Sequence, residues 1–352
     1  MGVEDANVFE TLTKPLRMDA DPPFEETYKT LFQNSIGKAT GGKVNDIIEE
    51  CELPVIDLSG LNRSKSDREK CKREIAEASA QWGFFQAVNH GIPREILERM
   101  HHEQVKLFQH PFDKKASKNL LNFSVDSYRW GTPSATCLRQ FSWSEAFHIP
   151  LTDISKSVDS NSLSSTIKEY EATVSVLAQS IAAILAENLG VKSNFFAENC
   201  LPSTCYLRMN RYPPCPISSE VFGLMPHTDS DFLTILYQDQ VGGLQLVKDG
   251  RWITVKPNPD ALIVNIGDLF EAWSNGVYKS VQHRVMTNRQ VQRFSVAYFF
   301  CPSYDTVIQS CREPSLYRKF NFREYRQQVQ EDVRARGYKI GLPRFLLRSQ
   351  LG

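Results

Sequence analysis

Between Cys205 and Tyr304 the chain falls into a series of short apolar runs divided by turn residues, and this spacing constrains the fold more than any other feature. The runs 205–210, 233–238, 244–247, 252–255, 261–266, 281–286 and 294–300 are rich in β-branched and aromatic residues and too short for helices. Lys248-Asp249-Gly250 sits between two of them as a hairpin turn. Many short strands in succession favour a sandwich or barrel over a parallel sheet, because each must bury one face against another sheet.

The preceding half reads differently. Residues 1–50 are weakly patterned, broken by Pro22-Pro23 and the run from Gly37 to Gly42, and are expected to pack as an extension on a later core. Leu53 to Leu58, with Pro54 near its start, suits an edge strand. Ser66 and Glu69 form a capping-box pattern that opens a helix to about Gln81, and Trp82 to Val88 reads as a strand ending in the turn Asn89-His90-Gly91. A second helix is expected over 94–109. A third, over 162–190, carries Ile167, Tyr170, Val174, Leu177, Ile181 and Leu185 at three- and four-residue intervals and closes at Gly190. Phe322, Tyr325, Val329 and Val333 predict a last helix ending at Gly337. The architecture is therefore mainly β with flanking helices: an extension (1–50), a helical and strand region (51–200), a jelly-roll core (201–310) and a C-terminal helix and tail (311–352).

Forty-one basic residues balance 41 acidic ones, so no long-range field exists to hold a phosphate backbone, and nucleic acid is not an expected partner. No run of eighteen apolar residues suits a membrane span. The N-terminus lacks a basic start followed by an apolar block, and Ala6 stands where a myristoylation signal needs Ser or Thr. Eight cysteines without a CxxC pair read as reduced intracellular thiols. The expectation is a monomeric cytoplasmic protein, with nothing in the chain to bar a nuclear pool.

The chemistry concentrates on two of the histidines. His227-Thr228-Asp229 is read at the entry to a strand, where residues two apart share a face, and His283 on a later strand supplies a third donor. Two imidazoles and one carboxylate on one face of a metal leave the opposite positions open, as in non-haem Fe(II) oxygenases; the same donors also suit Zn(II). His90, His101, His102, His110 and His148 lack a carboxylate in that relation and read as structural or solvated. Arg293-Phe294-Ser295 adds a planar guanidinium fork and a hydroxyl on one face of a strand, suited to the far carboxylate of a small dicarboxylate. Asn210-Arg211-Tyr212 offers an amide and a phenol with the same spacing.

Together these residues resemble the plant 2-oxoglutarate- and Fe(II)-dependent dioxygenases. The resemblance rests on His227-x-Asp229, His283, Arg293-x-Ser295, Asn210-Arg211-Tyr212-Pro213-Pro214-Cys215 and Asn265-Ile266-Gly267-Asp268, and on Gly83-Phe84-Phe85 followed by Asn89-His90-Gly91. It covers roughly residues 50 to 345 and implies a double-stranded β-helix (jelly roll). His227, Asp229 and His283 are then expected to bind Fe(II). Arg293 and Ser295, helped by Tyr212 and Asn210, are expected to hold 2-oxoglutarate. Dioxygen is the other cosubstrate, and ascorbate the reductant for an assay. Oxidative decarboxylation to succinate would drive hydroxylation of a substrate carbon.

Two further segments, Tyr128-Arg129-Trp130-Gly131 and Ser142-Trp143-Ser144-Glu145-Ala146-Phe147-His148, are similar to the gibberellin 2-oxidases, particularly the branch acting on twenty-carbon precursors, as is the stretch from Phe320 to Leu347. That resemblance implies hydroxylation at carbon 2 of a diterpenoid acid, which inactivates a growth hormone or its precursor. A rigid polycyclic acid needs an apolar wall and a cation. Tyr128, Trp130, Trp143 and Phe147 are the candidate wall, and Arg129, Arg139 and Arg208 the candidate carboxylate partners. Rival readings are gibberellin 3- or 20-oxidation, flavonoid or alkaloid oxidation, a catalytically silent jelly roll that binds a small acid, and a zinc hydrolase.

Overall fold

Alternating side chains make each strand two-faced, and the fold follows from what covers each face. The computed structural model describes residues 19–35, 49–117, 120, 127–156, 162–191, 194–200, 203–217 and 221–347, so the Gly37 to Gly42 run lies outside the described residues. In chain order the strands are β1 (Glu50–Cys51), β2 (Val55–Asp57), β3 (Phe84–Val88), β4 (Tyr128–Trp130), β5 (Glu145–Pro150), β6 (Tyr206–Tyr212), β7 (Phe222–His227), β8 (Leu233–Gln238), β9 (Leu244–Lys248), β10 (Arg251–Val255), β11 (Leu262–Ile266), β12 (His283–Met286), β13 (Arg293–Phe300), β14 (Val307–Ile308) and β15 (Phe320–Asn321).

Eight strands form one sheet in the order β2-β3-β11-β8-β13-β6-β5-β4, and five form a second in the order β1-β10-β9-β12-β7. Their facing sides share a small core in which Phe84, Tyr212 and Ile263 of the larger sheet meet Leu244, Leu246 and Val285 of the smaller. This is the expected jelly roll. The opposite side of the larger sheet, with Phe147, Leu207, Met209, Val296 and Tyr298, packs on the helices Arg94–Phe108 and Ser162–Asn188 through residues such as Met100, Ile181 and Leu185. Each such fully buried aliphatic side chain contributes about 1.5–3 kcal/mol. Side-chain parity on β6 follows: Leu207, Met209 and Arg211 face the helices, while Tyr206, Arg208, Asn210 and Tyr212 face the barrel interior.

Local details depart from the sequence reading in three places. The helix Lys65–Gln81 is capped by Ser64, whose Oγ accepts from the Asp67 amide, not by Ser66 with Glu69. Two residues separate the two patterns, and Ser64 has the extended backbone a cap requires while Ser66 lies inside the helix. Strand β7 contains Gly223 and Pro226, which disguise it in the sequence; it tolerates Pro because it is the edge of its sheet. Strands β4 and β5 extend the larger sheet beyond β6, where the sequence suggests pocket wall. The described part of the N-terminal extension packs on that edge: Phe24 stacks on Trp143 at 4.5 Å and meets Trp130 edge-on at 5.5 Å.

Candidate metal centre

His227 ends β7 and His283 begins β12, directly opposite it in the antiparallel register, with ring centroids 4.3 Å apart. Asp229 follows in the loop that crosses from the smaller sheet to β8 of the larger, so the His-x-Asp pair lies at the exit of a strand and not at its entry. The two residues converge because the loop is held, not because extended chain alternates. The Asp268 amide donates to the Asp229 carbonyl at 3.0 Å and the Leu269 amide to that of Asp231 at 3.0 Å. Gly267 makes this approach possible, since a Cβ there would lie 2.2 Å from the Asp231 carbonyl oxygen.

Each ligand atom is oriented by a second contact. His227 Nδ1 lies 2.8 Å from the Met225 carbonyl and His283 Nδ1 3.1 Å from that of Val281. A carbonyl only accepts, so both rings carry the proton on Nδ1 and present the Nε2 lone pair. Those nitrogens stand 3.6 and 3.8 Å from Asp229 Oδ1. The other carboxylate oxygen is occupied: Oδ2 accepts from Thr234 Oγ1 at 2.6 Å and Asn265 Nδ2 at 2.8 Å. All three donor atoms lie within 4.8 Å of one another.

The electrostatics put His227 and Asp229 in their metal-binding protonation states. Burial, reinforced by the neighbouring His283, lowers the His227 pKa to about 3, which keeps its imidazole neutral. Burial alone would raise the Asp229 carboxyl, but His283, His227 and the two hydrogen bonds outweigh it and hold the group ionised. Two imidazoles and one carboxylate, with Oδ1 and both Nε2 atoms turned toward one point, fit Fe(II).

Deeper on the same inner face lie Arg293, Ser295, Asn210 and Tyr212, paired across β13 and β6 as Arg293 with Tyr212 and Ser295 with Asn210. The guanidinium is 2% exposed and lies over the Tyr212 ring at 5.0 Å. Its Nη2 donates to Gln238 Oε1 at 2.6 Å and its Nη1 to Ser295 Oγ at 3.4 Å, while its buried Nε–H has no partner among the described residues. An unmet N–H on a buried cation is the donor a dicarboxylate's far end requires. Asn210 is partly committed elsewhere, accepting from Arg208 Nε at 2.8 Å. Gln238, Thr234 and Asn265 escape the sequence reading as supporting residues. Thr234 and Gln238, four residues apart, share one face of β8, and Asn265 opens the Asn265-Ile266-Gly267-Asp268 phrase.

The candidate substrate residues separate by parity. Arg129 pairs with Ala146, and Arg208 with His148, on the inner face. Tyr128, Trp130 and Phe147 face the other way, and Trp143 joins the N-terminal core, so none of the four forms the expected wall. Phe147 packs on Phe108 at 5.3 Å. Trp130 meets Phe24, Tyr28 and Phe112. The Tyr128 hydroxyl donates to Glu145, whose carboxylate also binds Lys115 at 2.5 Å and Arg211 at 2.6 Å in a buried ion cluster. Aromatic character identified these residues; only strand register reveals that they stabilise the fold. Arg139 lies exposed on a short 3-10 turn, Leu138–Gln140.

Such a barrel, with iron-type donors at its mouth and a buried arginine within, defines a class of non-haem oxygenases, and the comparisons agree. Residues 203–302 match the 2OG-Fe(II) oxygenase superfamily, and residues 53–166 match the family described as non-haem dioxygenase in morphine synthesis N-terminal. The chain belongs to the 2OG-Fe(II) oxygenase superfamily and is a 2-oxoglutarate-dependent dioxygenase that uses Fe(II). It is 61% identical to gibberellin 2-beta-dioxygenase 8 of Arabidopsis thaliana over 93% of this chain and 98% of that one. With gibberellin 2-beta-dioxygenase 6 of Oryza sativa subsp. japonica it shares 48% identity over 94% and 97% of the two chains. A crystal structure of JOX2 in complex with 2OG, Fe, and JA superposes with a TM-score of 0.68 at 33% identity, over 84% of this chain and 91% of that one.

Proposed function

We propose that the protein hydroxylates carbon 2 of gibberellins on the β face, with twenty-carbon precursors as its acids, and thereby removes the hormone or its precursors from use. In this reading His227, Asp229 and His283 hold the iron. Bound there, Fe(II) couples the oxidative decarboxylation of 2-oxoglutarate by dioxygen to hydroxylation of a substrate carbon. Arg293 and Ser295 take the far carboxylate of 2-oxoglutarate, with the Tyr212 ring fixing the guanidinium plane. Asn210 holds Arg208 and thus separates the cosubstrate end of the cavity from the substrate end.

One observation beyond the relatives' names supports an acidic, apolar substrate. Along the inner face a row of rings leads away from the metal: Phe299 pairs with Thr234, Tyr206 stacks on Phe299 at 4.4 Å, and His148 lies against Tyr206 at 4.2 Å. Cations gather at the far end of that row. Burial first, then the fields of Arg208, Arg326 and Arg129, push the His148 pKa down to about 4. Among the described residues none of these three arginines has a carboxylate within ion-pair distance. Arg326, from the C-terminal helix Phe322–Arg336, donates to the Tyr304 hydroxyl at 3.1 Å and is absent from the sequence reading, because helix periodicity alone places it on no particular surface. Rings for a polycyclic skeleton and unpaired arginines for its carboxylates suit a diterpenoid acid. The twenty-carbon preference draws on the resemblance of residues 128–131, 142–148 and 320–347 to that branch.

Aerobic incubation with Fe(II), ascorbate, 2-oxoglutarate and a panel of twenty- and nineteen-carbon gibberellins, read by mass spectrometry, tests the proposal. The expected product gains one oxygen, matches a 2β-hydroxylated standard and requires 2-oxoglutarate. Succinate release without any gibberellin product would discard the hormone reading.

A further inference from the structure

Lys339 lies beyond the C-terminal helix, more than a hundred residues from the metal loop in sequence, yet its ammonium group is wired into that loop. Its Nζ donates to the Thr228 carbonyl at 2.9 Å and to Ser230 Oγ at 2.8 Å, the two residues on either side of Asp229. The same ammonium pairs with Asp268 Oδ2 at 2.7 Å. Asp268 is in turn held by the Tyr325 hydroxyl, by Thr228 Oγ1 at 3.1 Å and by Ser280 Oγ at 2.6 Å. Its own amide donates to the Asp229 carbonyl at 3.0 Å. The Lys339 side chain is 10% exposed, so its three donors are spent on the protein.

From this geometry we infer that Lys339 is a positioning residue for the metal centre, and that the C-terminal tail sets the affinity of the His227, Asp229 and His283 site. Strands fix the two histidines, but Asp229 sits in a loop and depends on tethers. Thr234 and Asn265 hold its side chain, the Asp268 amide holds its carbonyl, and Lys339 holds the Thr228 carbonyl on one side of it and the Ser230 hydroxyl on the other. A ligand loop with those flanking tethers removed samples more conformations, and metal binding must then oppose that entropy.

The inference needs the metal site but not the identity of the organic substrate. Its test is Co(II) titration of the metal-free full-length protein, read by the visible absorption of the bound ion. Lys339→Met is expected to weaken Co(II) binding at least tenfold, and Lys339→Arg to restore most of that loss. Ser230→Ala, which removes one of the three contacts, should weaken binding about threefold and serves should Lys339→Met fail to fold. Arg344→Met is the comparison: it loosens the tail through the Arg344–Asp332 pair at 2.7 Å without touching the loop, and should leave Co(II) affinity unchanged. Co(II) binding within twofold of the parent in Lys339→Met or in Ser230→Ala would overturn the inference. So would an equal weakening in Arg344→Met, which would assign the effect to tail docking in general. Normal Co(II) binding with no product from any gibberellin would refute the substrate reading instead.

Discussion

Arg293→Met tests how the cavity recognises 2-oxoglutarate. The native guanidinium is buried at 2% exposure, with Nη2 tied to Gln238, Nη1 to Ser295 and Nε left without a partner. A carboxylate arriving there would gain hydrogen bonds to a charged donor, each contributing about 1.5–3 kcal/mol. Two such bonds are lost in the Met variant, about 3–6 kcal/mol in all. Ser295 and the Tyr212 phenol can still donate, which returns about 1–2 kcal/mol. A net loss of about 3 kcal/mol corresponds to roughly a hundredfold weaker 2-oxoglutarate binding, at about 1.4 kcal/mol per tenfold. Arg293→Lys keeps the charge and loses the fork, so about tenfold is expected. Stability should fall by about 1–2 kcal/mol, since Gln238 Oε1 and Ser295 Oγ each lose a donor. Calorimetric titration of 2-oxoglutarate into the anaerobic Mn(II)-loaded enzyme, with succinate formation for the KM, measures both variants. A Met variant within threefold of the parent would mean that Arg293 serves the fold and the dicarboxylate binds elsewhere.

Arg208→Ala and Arg326→Ala should each raise the KM for the acid substrate about tenfold and leave that for 2-oxoglutarate alone; steady-state kinetics with each substrate varied separates the effects, and the reverse pattern would remove these arginines from the substrate end. Glu145→Gln leaves Lys115 and Arg211 buried with less compensation, at a cost of about 3 kcal/mol in urea denaturation, and a loss below 1 kcal/mol would show that the cluster tolerates it. Because burial already lowers the Lys115 pKa, the variant should regain stability as pH rises toward the ordinary lysine value: there the unfolded chain binds the proton that the folded chain releases. The metal-free protein should lose stability as pH falls from about 6.5 toward 3, since His227, with its pKa lowered to about 3, refuses a proton that the unfolded chain accepts. A urea midpoint that does not fall between pH 7.5 and pH 5 would contradict this.

Much of the site is legible in the sequence because its chemistry is local and rare. Two imidazoles and a carboxylate with a downstream Arg-x-Ser carry the metal and cosubstrate reading, and strands such as 233–238 match their observed ends. Aromatic residues were a poorer guide. Phe147 and Tyr128 look like pocket wall until the register of β5 against β6 turns them toward the helices. Gly and Pro hid β7, whose edge position is a property of the sheet and not of the segment.

What the sequence by itself determined was the kind of chemistry and the class of fold: donor types, their spacing, and the alternation of short strands are written in residue identity. Tertiary structure alone decided which atoms meet. A one-residue change of register reverses every face of a strand, so parity separated Arg208 and Arg129 from the aromatic residues beside them. Lys339 reaches the metal loop, and Arg326 acts on His148, only because the chain's last helix folds back over the barrel. No pattern within either segment states where that helix will lie, since its position is set by packing against surfaces contributed from the rest of the chain.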